Sequence, residues 1–230
     1  MSNAANPPGD ASAPRSPSSS AAPHSSDVSH SPHSTAVHDD RGRLGMWLFV
    51  STEILLFGGL FLLYSAYRWR HHADFHAASM LLDRVFGTTN TIVLITSSLF
   101  VVLSIHWLRE RRLGLAKLFL GLTLLCGLTF LVIKGFEWGH KFESGLYPNA
   151  PHLLSLPFGE ILYFGLYFSM TGLHAIHVIA GMTVFGFVFR GMSKGTVTAE
   201  RPIFLENVGL FWHLVDIIWI FLFPLFYLIS

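Results

Sequence analysis

Large apolar side chains are scarce over residues 1–40 and nearly continuous from Leu44 onward. Five apolar runs are long enough to cross a hydrocarbon core about 30 Å thick, which takes roughly 20 helical residues. They cover approximately residues 44–67, 88–108, 115–136, 160–189 and 203–229. The fourth is long enough to tilt or to project beyond the bilayer on one side. The runs are apolar throughout instead of alternating, so they predict helices and not barrel strands. The pattern predicts an all-α polytopic membrane protein, with a tail over residues 1–42 and a five-helix membrane domain over residues 43–230.

Composition sharpens this division. Only 13% of the 230 residues are charged, 21 are Phe, and the mean hydropathy is +0.49. A soluble domain carries about 25% charged residues. The tail is rich in Ser, Ala, Pro and His and has no hydrophobic periodicity, which predicts disorder. It lacks the charged start, apolar stretch and cleavage site of a secretory signal. Its histidines (His24, His30, His33, His38) are read as part of a solvated linker, with loose metal binding as the alternative. The single cysteine, Cys126, lies inside a run, so an internal disulfide is excluded.

Loop charge predicts orientation. Arg41 and Arg43 precede the first run; Arg109, Arg111, Arg112 and Lys117 follow the second; Arg190, Lys194 and Arg201 follow the fourth. The opposite side carries Arg68, Arg70, Arg84 and Lys141, diluted by Asp74, Asp83 and Glu143. The positive-inside rule therefore places the N-terminus in the cytoplasm.

Polar residues inside the runs carry the candidate chemistry. Glu53 sits in the middle of the first run, where a carboxylate costs roughly 3 kcal/mol on insertion scales. Gly58 and Gly59 nearby allow close approach of a helix or a lipid tail. A residue so placed is read as a proton-related or lipid-contact site, or as an interhelical hydrogen bond. Lys134 and Glu137 stand three residues apart on one helix face and form a structural ion pair, within reach of the interface by snorkelling. His174 and His177 share a face of the fourth run; His213 and Asp216 share a face of the fifth and read as a local polar pair. Haem ligation, a His/carboxylate metal site and interhelical hydrogen bonding are all compatible with these spacings. Gly172 and Gly181 favour close helix packing over room for a macrocycle. No nucleotide-binding glycine loop, Cys–His nucleophile pair or hydrolase carboxylate pair is present.

Five segments in order resemble subunit III of the haem-copper respiratory oxidases, in its short five-helix bacterial form. They are GMWLFVSTEILLFGGLF with Glu53, NTIVLITSSLFVVLSIHW with Asn90 and His106, and FLVIKGFEW with Lys134 and Glu137. TGLHAIHVIAG carries His174 and His177, and ENVGLFWHLVDIIWIFLFPLFY carries Glu206, Trp212, His213, Asp216 and Trp219. The resemblance implies helices grouped around a lipid-binding cleft, with Glu53 as the family's buried carboxyl, reactive with carbodiimides. Asn90, His106, Lys134, Glu137, His174, His177, Glu206, His213 and Asp216 are then structural polar sites, and no residue is catalytic or a metal ligand.

The resemblance further implies an accessory role without a redox centre in this chain. Haem and copper lie in partner subunits, which reduce oxygen with cytochrome c as electron donor and pump protons. Subunit III stabilises the catalytic subunit, holds phospholipid and sustains proton uptake. Subunit I and subunit II are the implied partners, with a larger respiratory supercomplex as a further association and no nucleic acid. The location implied is the bacterial inner (cytoplasmic) membrane. Within the family, a quinol oxidase or nitric oxide reductase complex is the alternative. Outside it, a membrane b-type cytochrome or a proton-coupled transporter built on Glu53 remains open.

Overall fold

The structure, a computed structural model, describes residues 32–195 and 203–228. Seven α-helices and a terminal π turn follow in order: α1 (Pro32–Arg70), α2 (His72–Ser79), α3 (Arg84–Arg109), α4 (Leu113–Glu143), α5 (Pro151–Leu154), α6 (Phe158–Lys194), α7 (Ile203–Phe223) and the π turn Pro224–Leu228. Strands are absent among the described residues. Five spans are apolar and long enough to cross a membrane: Leu44–Arg70, Arg84–Arg109, Leu113–Glu143, Phe158–Lys194 and Phe204–Leu228. These are the five helices expected from the apolar pattern, and the chain is an integral multi-pass membrane protein. The first helix begins at Pro32, upstream of Leu44, while residues 1–31 of the predicted tail lie outside the described residues. At 37 residues, α6 is about 55 Å long, so it outreaches the hydrocarbon core.

Local chemistry sets several boundaries. The Asp83 side chain accepts from the Val85 amide at 2.8 Å and opens α3. The turn from α3 to α4 is so short that the two helices pack as an antiparallel hairpin. Ser104 ties the pair by donating across to the Ala116 carbonyl at 2.9 Å. Pro157 precedes α6, and Gly195 ends it at φ 75°, a left-handed position that suits glycine.

The centre of the bundle is α7, packed against α1, α3 and α6. Trp212 and Trp219 are fully buried, and each indole N–H finds an oxygen on α3: Ser97 at 3.0 Å and Thr91 at 3.1 Å. Hydrocarbon offers no water to these groups, so partners on another helix fix the rotation of α7 against α3. Pro224 has no N–H to continue the helix, and the chain relaxes into the π turn. Tyrosines satisfy two of its carbonyls, with Tyr64 donating to Leu225 at 2.6 Å and Tyr163 to Phe226 at 2.8 Å.

By contrast, α1 is peripheral. In its most apolar stretch 11% of residues are buried within the chain, against 56% for the last span. Beyond its own helix backbone, no atom of the described residues stands within 4 Å of a Cβ placed on Gly58 or Gly59, so the small-residue surface there is open. Gly181 is the opposite case: a Cβ would lie 2.8 Å from the Trp212 ring. Gly181→Ala should destabilise the bundle by about 1–3 kcal/mol through overpacking. Gly186→Ala, with nothing within 4 Å, is the control. Thermal denaturation of the two variants should separate them, with the midpoint falling only for Gly181→Ala.

Candidate functional site

The most heavily bonded polar group in the bundle is Lys134 on α4, whose residue exposure is 3%. Its ammonium donates to Glu137 Oε2 at 3.0 Å, to the Tyr167 hydroxyl at 3.1 Å and to the Tyr227 hydroxyl at 2.6 Å. All three donors are therefore used. Glu137 Oε1 in turn accepts from Tyr167 at 2.6 Å and from Tyr227. The ammonium also lies over the Tyr167, Trp219 and Tyr227 rings, 4.9, 5.0 and 5.3 Å from their centroids. This closed, neutral cluster joins α4, α6 and the π turn. The i, i+3 ion pair is present as the spacing predicts, but neither partner snorkels to the interface. Both point inward, because two tyrosines supply the bonds that headgroups and water would otherwise provide.

Glu53 on α1 meets His177 on α6, with Oε2 and Nε2 2.9 Å apart. The other ring nitrogen, Nδ1, is 2.8 Å from the Leu173 carbonyl on its own helix. The Phe57 and Phe211 rings stand 5.4 and 6.3 Å from the imidazole. His174, one turn away, is fully buried between Phe130 at 5.5 Å and Trp219 at 5.1 Å. Neither of its nitrogens has a hydrogen-bond partner among the described residues, nor do the side-chain polar atoms of buried Asn90.

His213 does not pair with Asp216. Its Nδ1 takes Ser98 of α3 at 2.5 Å. Asp216, 3% exposed, lies close to the same serine without a directed hydrogen bond. Positions three apart share a helix face, yet the side chains part when an oxygen on the next helix is better placed. Glu206 on α7 binds Arg109 at the end of α3, at 2.7 Å, and closes the other end of the bundle. His106 is exposed and rests edge-on to Trp107.

Ser98, Tyr64, Tyr163, Tyr167 and Tyr227 are the functional partners that sequence reasoning missed. A signal for Tyr167 and Tyr227 existed: a buried ammonium has three donors, and one carboxylate does not satisfy them. No group of three or more His, Cys, Asp or Glu that could hold a metal ion occurs among the described residues. The side chains of His24, His30, His33 and His38 lie outside the described residues.

Comparison with known proteins places this arrangement. The family model described as Cytochrome c oxidase subunit III matches residues 25–230. The chain belongs to that family. It is 30% identical over 189 residues to the cytochrome c oxidase subunit 3 of Bacillus subtilis (strain 168), covering 81% of this chain and 86% of that protein. To the cytochrome bo(3) ubiquinol oxidase subunit 3 of Pseudomonas aeruginosa it is 27% identical, covering 84% and 88%. It is also 29% identical to the heme-copper oxidase subunit I+III of Aeropyrum pernix, covering 83% of this chain but spanning only 23% of that longer protein. As a subunit III, the chain is an accessory component of a haem-copper oxidase complex.

The Lys134 cluster gives this subunit III a measurable vulnerability. Lys134→Met leaves the Glu137 carboxylate buried without its cation and should cost about 3–5 kcal/mol of stability. Adding Glu137→Gln removes the stranded charge and should recover part of that loss. Both effects are read as thermal midpoints of the detergent-solubilised complex.

Proposed function

We propose that the chain is the non-catalytic subunit III of a haem-copper terminal oxidase that uses cytochrome c. It holds the catalytic subunit and bound phospholipid in place and supports proton uptake. One observation carries the reading: the buried Lys134–Glu137 ion pair is satisfied entirely inside the bundle, while α1 leaves an apolar flank open. Such a molecule is suited to pack against something in the membrane.

Several features support the finer points. An apolar groove runs between α1 and α7, lined by Ile54, Gly58, Phe61, Leu214, Ile217 and Phe221. Its apolar lining suits an acyl chain. The Aeropyrum pernix relative is named as a fusion of subunits I and III, which supports subunit I as the partner here. Subunit II and a larger supercomplex rest on the family resemblance alone. The distribution of Arg and Lys in the loops supports a cytoplasmic N-terminus, and the bacterial inner membrane rests on the family resemblance. Glu53, in the lightly covered α1, is the group best placed for a proton-related role.

Haem and copper belong to the partner subunits on this reading. His174 and His177 do not suit axial ligation. His177 has a near neighbour at each nitrogen, and His174 is held between the Phe130 and Trp219 rings. A quinol in place of cytochrome c is the second reading, favoured by relatives named as quinol oxidase subunits.

Purification through a tag on this chain in mild detergent should bring down a coloured complex containing a large haem-copper subunit. Stripping the chain away should leave the haem bands with that partner. Haem bands that travel with this chain, or a colourless solitary protein, would contradict the proposal. In the same preparation Glu53→Gln should leave the assembly intact, since the amide preserves shape and hydrogen-bonding capacity.

A further inference from the structure

We propose that the outward face of α7 beside α3 docks a transmembrane helix of the catalytic subunit, and that this helix brings a hydroxyl or carboxamide side chain to His213. The inference starts from the unused half of one imidazole. Ser98 of α3 engages Nδ1 of His213. Nε2 has no hydrogen-bond partner among the described residues, and the side chain is only half-buried. Depth makes that atom costly. His213 lies about 14 Å along α7 from Phe204, and Ser98 about 16 Å along α3 from Arg109. Arg109 and Glu206 bind each other, so both lengths are counted from the same membrane face. With a hydrocarbon core about 30 Å thick, His213 and Ser98 sit near its middle, beyond the reach of headgroups and water.

Other polar side chains on the outer surface solve this problem locally. The hydroxyls of Thr52, Thr96, Thr129 and Thr183 each donate to a carbonyl of their own helix and need nothing from outside. Nε2 of His213 has no such outlet. In a neutral imidazole one nitrogen donates and the other accepts, and the Ser98 bond decides which role falls to Nε2. A Ser, Thr, Asn or Gln side chain serves either role without adding charge, whereas the carbonyls inside a helix are already taken by that helix. The surface around the ring suits a helix. Ile95 and Val102 on α3, each 51% exposed, and Ile220 on α7, 44% exposed, share the outward face with Ser98 and His213 at helical spacings. The partner's identity rests on the accessory role proposed above; the need for a polar partner at this depth does not.

Photo-crosslinking in native membranes tests the surface. Ile95 or Ile220 is replaced by p-benzoylphenylalanine, the membranes are irradiated, and the product is mapped by mass spectrometry. The expected product joins this chain to a transmembrane segment of the catalytic subunit that carries a Ser, Thr, Asn or Gln beside the linked residue. In parallel, His213→Phe should lower the amount of this chain retained on the catalytic subunit after a detergent wash by about tenfold. A coloured complex whose crosslinks reach only lipid or a second copy of this chain would overturn the surface and leave the accessory role standing. So would a linked segment without a polar side chain, or retention of His213→Phe equal to wild type. Absence of any haem-copper subunit from the preparation would overturn both. If His213→Phe does not fold, the crosslinks decide alone, because they leave His213 in place.

Discussion

The bundle depends on one constraint: inside hydrocarbon, a buried charge must find its partners within the protein. Lys134 meets this constraint most completely. Its three donors and both carboxylate oxygens of Glu137 are consumed by a ring of four residues from α4, α6 and the π turn. The ring fixes the π turn relative to α4 and α6, because Tyr227 cannot leave without stranding one of the ammonium's three donors. The same logic recurs at lower stakes. Trp212 and Trp219 set the rotation of α7 through Ser97 and Thr91, and Tyr64 and Tyr163 cover the carbonyls freed near Pro224.

Much of this was legible in the sequence, and the limits have physical reasons. The five spans follow from apolar runs whose length matches the bilayer, and no tertiary contact could move them far. The Lys134–Glu137 pair follows from helical geometry alone. Its depth does not, because burial depends on tyrosines 30 and 90 positions away from Glu137 in the chain. His213 illustrates the limit from the other side. Local spacing offered Asp216, but the rotation of α3 against α7 brings Ser98 to the ring, and that rotation is written in no single helix. The meeting of Glu53 with His177 was equally hidden, since it needs α1 laid against α6.

Placing these residues inside subunit III clarifies what they are for. The chain supplies a rigid helical body whose polar groups mostly turn inward, leaving an apolar face on α1 and α7. Membrane helices lack a hydrophobic driving force toward one another, so such a face associates through close packing, and Gly58 and Gly59 permit it. Rigidity behind that face comes from the Lys134 cluster and the aromatic core around α7.

A double-mutant cycle on Lys134 and Tyr227 tests the central claim most directly. Thermal stability would be measured for the complex carrying Lys134→Met, Tyr227→Phe and both. If the π turn is held to α4 through this contact, the two losses are strongly non-additive, with a coupling of about 1 kcal/mol or more. Additive losses would contradict the account, because Lys134 and Tyr227 would then contribute independently and the C-terminal turn would be held elsewhere.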